Sequence, residues 1–363
     1  MPVGFRTFAV VCLLTIAPAA FAEPWIAVME GKQCNACHIS ASGGGMRNVY
    51  GNVYGRSLLP ATTLGASNPD AWIWTGQLLK YFKLGTDVRA SWRYTDVPHR
   101  DAESSTDVDR ASVYFAIEPI QDRLLLYVDQ EFGQGSNFNR EEWLRWKFND
   151  TFYVRAGRMF LPFGLRLEDD TAYIRQIPGI NFTTPDKGVE FGVDKGPWSA
   201  QLAVSNGTAG GPEIDSGKQY SLNVAYVAPF WRVGGSFNYN DSSFGNRTLY
   251  SAYAGYHWDN LAFLGELDYV SDEGFPEGRR NQIVSLLEAN WRYRRGHNLK
   301  LTYEFLDPDD TIPNDQQNRY SCVWEYFPIQ YLQLRAGIRV YDGIPQSDLE
   351  NRNEYFVQAH VYF

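Results

Sequence analysis

From about Leu84 to Phe363 the chain is a series of short alternating segments separated by turn residues, and this rhythm restricts the fold more than any other feature. In the first segment Thr86, Val88, Ala90, Trp92 and Tyr94 share one face, while Asp87, Arg89, Ser91 and Arg93 share the other. Leu299, Leu301, Tyr303 and Phe305 oppose Lys300, Thr302 and Glu304 in the same way. Leu332, Leu334, Ala336, Ile338 and Val340 likewise oppose Gln333, Arg335, Gly337 and Arg339. A period of two is the signature of strands with unlike faces. A soluble β-sandwich also alternates, so the connections must decide. The pattern predicts sixteen strands, beginning near residues 84, 107, 122, 138, 151, 187, 198, 217, 231, 247, 260, 281, 297, 317, 331 and 352. Tight connections such as Asn149-Asp150, Ala228-Pro229 and Arg295-Gly296 alternate with long ones at 95–106, 160–185, 206–216, 271–280, 307–316 and 342–351. An even number of antiparallel strands, with short turns on one rim and long loops on the other, is the arrangement of a transmembrane β-barrel. Both ends of the strand series then fall on the short-turn rim.

Composition agrees. Beyond its first residues the chain has no apolar run long enough to cross a bilayer as a helix. Aromatic residues make up 15 % of it, while the mean hydropathy is only −0.37. Strands with one face toward lipid and one toward a watery lumen dilute hydropathy in this way. The net charge of −9 argues against nucleic acid as a partner and is compatible with cations. Tyr355, Val357, Ala359, Val361 and Phe363 alternate to a C-terminal phenylalanine. This ending resembles the terminal signature of bacterial outer-membrane proteins, which the barrel-assembly machinery reads, and it implies the Gram-negative cell outer membrane.

The N-terminus reads differently. Arg6, an apolar core from Phe8 to Ile16 and the small-x-small sequence Ala20-Phe21-Ala22 make residues 1–22 a secretory signal. Residues 23–82 form a second unit, with Cys34, Cys37, the run Gly43-Gly44-Gly45 and a Pro/Ser/Thr/Asn-rich passage from Leu59 to Pro69. This unit is too small for an ordinary hydrophobic core, so a covalent cofactor or a larger surface has to stabilise it. Residues 83–363 are the barrel.

Cys34-Asn35-Ala36-Cys37-His38 is a C-x-x-C-H sequence, the attachment pattern for one covalent haem c. Two thiols at this spacing form thioethers to the haem vinyl groups, and the following histidine reaches the iron. A redox dithiol or half a zinc site is the first thought in a cytosolic protein. Here there is no second cysteine pair, and the motif follows an export signal. A Cys34–Cys37 disulfide is the plainer alternative. Cys322 falls in a predicted strand and reads as a small wall residue. For the second axial metal ligand the sequence offers Met46 beside His38, since methionine opposite histidine is an electron-transfer pairing. Packing of Met46 on the haem edge is an equal alternative, and His99, His360 or an open position are others.

Gly157 and Pro162-Phe163-Gly164-Leu165 resemble the G-x-x-x-x-P-F-G-L stretch of general and phosphate- or sugar-type porins. The resemblance implies that the loop to Pro185 folds into the lumen, where Arg166, Glu168, Asp169, Asp170 and Arg175 would form a constriction. An ordinary outer loop with solvated charges is the alternative. The lumen face is expected to carry both signs, with Arg89, Arg93, Arg145, Lys147, Arg335 and Arg339 beside Asp87, Glu304 and Glu354. Acidic residues also gather in outer loops, at Asp101, Glu103 and Asp107, at Asp272, Glu273 and Glu277, and at Asp307, Asp309, Asp310 and Asp315. Hard oxygen ligands suit divalent cations, surface calcium among them, but plain solvation is the stronger reading of these clusters. No hydrolytic constellation stands out.

A signal peptide, Cys34–His38, Tyr50-Gly51, Tyr54-Gly55-Arg56 and about sixteen strands in this order resemble the fused monohaem cytochrome–porins of iron-oxidising bacteria. The resemblance implies a haem-bearing plug in the lumen. It also implies electron transfer between extracellular Fe(II) or another outside donor and a periplasmic electron carrier, so that any enzymatic activity would be Fe(II) oxidation. The alternative is a solute-conducting porin with a structural or redox-sensing haem plug. Outer-membrane lipid surrounds the barrel in either case, and porins are often homotrimers.

Overall fold

The computed structural model describes residues 23–65, 74–133, 136–213 and 215–363. The secretory signal expected at residues 1–22 lies outside them. Two helices, α1 (Pro24–Met29) and α2 (Val49–Ser57), precede a short strand β1 (Gln77–Leu79) that lies against the first wall strand. Sixteen wall strands follow. They are β2 (Phe82–Asp96), β3 (Glu103–Ile120), β4 (Leu124–Gly133), β5 (Ser136–Lys147), β6 (Phe152–Met159), β7 (Asp186–Lys195), β8 (Trp198–Ser205) and β9 (Gln219–Val227), then β10 (Trp231–Asn240), β11 (Arg247–Trp258), β12 (Leu261–Phe275), β13 (Gly278–Arg294), β14 (His297–Asp307), β15 (Gln317–Tyr326), β16 (Leu332–Asp342) and β17 (Asn353–Tyr362).

Every wall strand pairs antiparallel with its sequence neighbours, and β17 closes the cylinder on β2, from Asn353 opposite Asp96 to Tyr362 opposite Asp87. Closure removes the edges that an open sheet would expose to lipid. The strand starts follow the sequence alternation closely. One connection differs: 271–280 is not a long loop, because β12 and β13 continue toward a tight turn at their tips. Arg247 on β11 pairs with Asp272 there at 2.8 Å and helps hold the extended ladder in register.

The two faces of the wall are unlike. Outward residues such as Val88, Phe115, Leu144, Val189, Leu202, Leu267, Leu287 and Val357 are exposed and apolar, as lipid contact requires. Trp198, Trp231, Trp258, Trp291 and Trp324 are exposed beside the short turns, where amphipathic rings suit a membrane interface. Inward residues include Asp87, Arg89, Arg110, Arg155, Glu304, Arg319 and Arg335, all buried within the cylinder.

What buries them is the chain itself, from two directions. The N-terminal segment enters the lumen at the short-turn rim. Its Gln33 side chain donates to the Gly196 carbonyl at 3.2 Å. The Ala61 amide donates to Phe327 O at 2.8 Å, and Arg295 donates to the carbonyls of Pro60 and Ser57. The 160–185 loop, which carries the short helix α3 (Tyr173–Gln176), folds inward from the other rim. Trp25, Ile26, Val28 and Tyr54 from the first segment, and Leu165, Leu167 and Ile174 from the loop, share one apolar cluster with Leu264, Val284, Leu286 and Leu306 of the wall. Trp25 is fully buried there, and burying a side chain of this kind is worth roughly 2–3 kcal/mol.

Candidate functional site: a cavity in the lumen

The C-x-x-C-H residues form a tight turn. Cys34–Ala36 is a single 3-10 turn, closed by Cys37 and His38 amides that donate to the Cys34 carbonyl at 3.2 and 3.0 Å. The chain then doubles back through Gly43, Gly44 and Gly45, each at positive φ, so that His38 lies opposite Arg47 in an antiparallel bridge. Three consecutive left-handed residues are affordable only for glycine. Here they also make close contacts: a Cβ on Gly44 would stand 2.8 Å from the Phe182 ring of the 160–185 loop, and one on Gly45 2.5 Å from the Tyr127 hydroxyl. Asn48 completes the return. Its side chain accepts from the Gly51 amide to cap α2 and donates to the carbonyls of Asn35 and Ala36, so the cysteine turn is bonded to the start of the helix.

Cys34, Cys37 and His38 all line one cavity, which is open to solvent and has about 910 Å³ of empty space. Its other walls are Gly164, Leu165 and Arg166 of the inward loop and Gln201, Asn223, Arg232 and Tyr253 of strands β8 to β11. Both cysteines are free thiols, so the disulfide considered from sequence does not form here. Burial raises the Cys37 thiol above its ordinary pKa, with Arg47 acting against it.

Met46 is placed elsewhere. It is buried among Ile39, Tyr114, Tyr127, Trp143 and Met159 on the β3–β6 side of the wall, and its amide donates to the Tyr127 hydroxyl at 3.0 Å. It does not line the cavity that His38 lines. The other two histidines considered as ligands are not there either. His99 is on the long-loop rim, beside Asp348 at 3.2 Å. His360 is buried with its Nε2 3.1 Å from Asp87. Cys322 is exposed on the outer face of β15.

The residues of the cavity would suit a haem of the c type: two thiols and an imidazole on one turn, with Arg166 and Arg232 among the same lining residues. Arg232 is buried, with its Nε and Nη1 atoms lacking hydrogen-bond partners. Its guanidinium lies 5.7 Å from the centre of the Tyr253 ring. Arg166 donates only to carbonyls, Leu161 O at 2.9 Å and Gly43 O at 3.4 Å, and its Nε has no partner.

The inward loop carries the other predicted charges, and its three carboxylates are tied to the wall. Glu168 meets Arg335 at 2.7 Å and Arg89 at 3.6 Å. Asp169 lies 3.0 Å from both Arg319 and Arg339. Asp170 meets Arg110 at 2.7 Å. Burial opposes ionisation of Glu168 and Asp169, yet the paired arginines hold both carboxyls well below the usual carboxylate range. Arg175 donates to Leu165 O at 3.3 Å, inside the loop. The expected constriction residues therefore converge, and they cross the lumen.

Glu23, Glu168 and Glu325 bring three carboxylates within 4.8 Å, the one such group among the described residues with metal-ligand spacing. Lys300 lies 2.8 Å from Glu23 and 3.1 Å from Glu325, and Arg335 contacts both Glu168 and Glu325. Cations of the chain already occupy the position an ion would take. The cluster joins the N-terminal segment, the inward loop and the wall. Sequence reasoning missed it because its members lie far apart in the chain. The acidic outer loops are bonded locally instead, with Glu273 to Arg279 and Glu277 to Arg280.

No protein-family model matches the sequence, and no curated protein matches it. Solved structures do resemble the fold. An anion-selective porin from Comamonas acidovorans superposes with a TM-score of 0.62 at 13 % identity, over 78 % of this chain and 99 % of that one. The outer-membrane protein OmpT of Vibrio cholerae, in a trimer form, gives 0.58 at 13 % identity over 78 % and 100 %. Salmonella typhi OmpF in complex with daunomycin gives 0.56 at 12 % identity over 77 % and 98 %. The chain has the fold of an outer-membrane porin-type barrel.

Proposed function

We propose that this chain carries single electrons across the outer membrane, with a c-type haem held by Cys34, Cys37 and His38 inside a porin-type barrel. The observation that carries this reading is that all three residues of the attachment motif line one cavity within the lumen. When bound, the haem supplies a one-electron iron couple. The protein's part is to seat it away from lipid and to fill the space around it. The N-terminal segment and the inward loop occupy the lumen from both rims, so a route for electrons is favoured over a wide watery channel. The hydrocarbon layer is about 30 Å thick, and a centre within the lumen shortens the gap between an outside donor and a periplasmic carrier. Extracellular Fe(II) is the donor suggested by the resemblance to cytochrome–porins. Each Fe(II) would give up one electron to become Fe(III), and the carrier would gain that electron.

The porin fold itself favours a second reading, in which solutes pass and the N-terminal segment is a structural or redox-sensing plug. As in the OmpT trimer, three copies would then assemble in the membrane. Proteoliposomes separate the two. They hold a soluble ferric cytochrome inside and receive Fe(II) outside, with an ionophore to balance charge. Reduction of the internal cytochrome without sugar-driven swelling supports the electron route. Swelling without reduction supports the solute pore and refutes the route.

A further inference from the structure

We infer that Arg166 and Arg232 are the carboxylate-binding groups of the lumen cavity, holding the two acidic side chains of the haem and raising its reduction potential. The inference rests on the haem reading above and assigns two residues outside the attachment motif to that site.

Several other buried arginines of the lumen meet carboxylates: Arg155 meets Glu190 at 2.7 Å, Arg335 meets Glu168 at 2.7 Å, and Arg319 meets Asp169 at 3.0 Å. Arg166 and Arg232 both line the cavity, and neither forms an ion pair with any described residue. They are only 5 % and 6 % exposed, so solvent does little to compensate them. An uncompensated buried charge is strongly unfavourable. Burial, reinforced by neighbouring Arg175 and only partly offset by Glu141, pushes Arg166 down from the usual guanidinium range to about 9. Both sites would be relieved by an anion in the cavity.

Shape and position then select the anion. A guanidinium presents a planar fork of donors that matches a carboxylate. The residues come from different parts of the fold: Arg166 follows the Pro162-Phe163-Gly164 turn of the inward loop, where it stacks 4.9 Å from the Phe160 ring centre, and Arg232 is near the start of β10. An occupant meeting both must carry more than one acidic group or span the cavity. Haem does both. Its vinyl-derived positions and its two carboxylates are on different pyrrole rings, so anchoring at Cys34 and Cys37 would leave the acids for groups of the loop and the wall.

Cationic partners at these carboxylates favour the reduced iron, which carries one less positive charge. The test is a redox titration of the detergent-extracted, haem-loaded protein, comparing wild type with Arg232→Gln, Arg166→Gln and the charge-keeping Arg232→Lys. The expected result is haem retained in all four. At a fixed ambient potential, each glutamine variant should have a reduced-to-oxidised ratio about tenfold lower, a fall of about 59 mV for a one-electron couple. Arg232→Lys should stay near wild type. Unchanged potentials in both glutamine variants, with haem bound, would overturn this assignment and leave the haem reading standing. Wild type without any haem would overturn both. If the glutamine variants do not assemble into barrels, Arg232→Met and Arg166→Met, which keep most of the side-chain volume, take their place under the same criterion, and unchanged potentials in both refute the assignment.

Discussion

Replacing Arg319 with methionine should release the inward loop. Arg319 is on β15, is 1 % exposed, and joins wall to loop through several bonds at once. Its Nε donates to Glu304 at 2.9 Å, Nη2 lies 3.0 Å from Asp169, and Nη1 donates to Thr171 Oγ1 at 2.8 Å and Thr171 O at 3.1 Å. Methionine fills much of the volume but leaves Glu304 and Asp169 without this partner. Breaking a buried pair by removing one member costs about 3–5 kcal/mol. Asp169 keeps Arg339, and Glu304 keeps the Tyr173 amide at 2.7 Å, so the lower end of that range, about 3 kcal/mol, is the better figure. At 1.4 kcal/mol per tenfold, the docked loop loses roughly two orders of magnitude in its equilibrium. Planar-bilayer recordings should then show frequent large openings that are rare in wild type. As a control, Arg280→Met at the exposed rim removes pairs to Glu277 and Asp309, which solvent screens, and conductance should not change. Identical recordings for Arg319→Met and wild type would refute the claim that these bonds hold the loop across the lumen.

Three further predictions concern the same interior. Lys300→Met strands Glu23 and Glu325 without their shared ammonium, so protease added to the intact membrane protein should cut the N-terminal segment at least several-fold faster. Gly44→Val meets both a positive φ of 76° and the Phe182 ring. A non-glycine residue in that conformation costs about 1–2 kcal/mol before any clash, so thermal release of the segment, followed by tryptophan fluorescence, should occur at lower temperature. For Glu168 and Asp169, whose folded carboxyls titrate below their unfolded values, stability is fully present above the ordinary carboxylate range and is lost only as pH falls through the depressed folded values. Conductance should therefore stay low down to about pH 4 and rise below it. A rise already at pH 6 would contradict these pairings.

The wall was legible because lipid imposes a strict rule on every second residue. Thr86 to Tyr94 and Tyr355 to Phe363 could be assigned to faces from the sequence, and closure of β17 on β2 keeps those faces. The inward loop was legible only through the short Pro162-Phe163-Gly164-Leu165 stretch. Its partners Arg110 and Arg319 were not, because nothing local links them to Asp170 and Asp169. The packing of the N-terminal segment was hidden as well, though one signal was available. On β12 and β13 the inward positions Leu264, Val284 and Leu286 are apolar, although an open lumen calls for polar groups. Apolar inward positions of this kind require an apolar partner inside, and Trp25, Ile26 and Val28 supply it. Met46 shows the converse limit: its spacing from His38 allowed a ligand, but the turn through Gly43–Gly45 directs it to the wall.

The most direct test of the account is an optical spectrum of the protein purified from outer membranes of cells competent in haem ligation. Sharp reduced c-type bands in wild type, absent from Cys37→Ala although its barrel still assembles, are the predicted result. An assembled wild-type barrel with no haem absorption would contradict the account and leave a plugged porin-type barrel with two free thiols in its lumen.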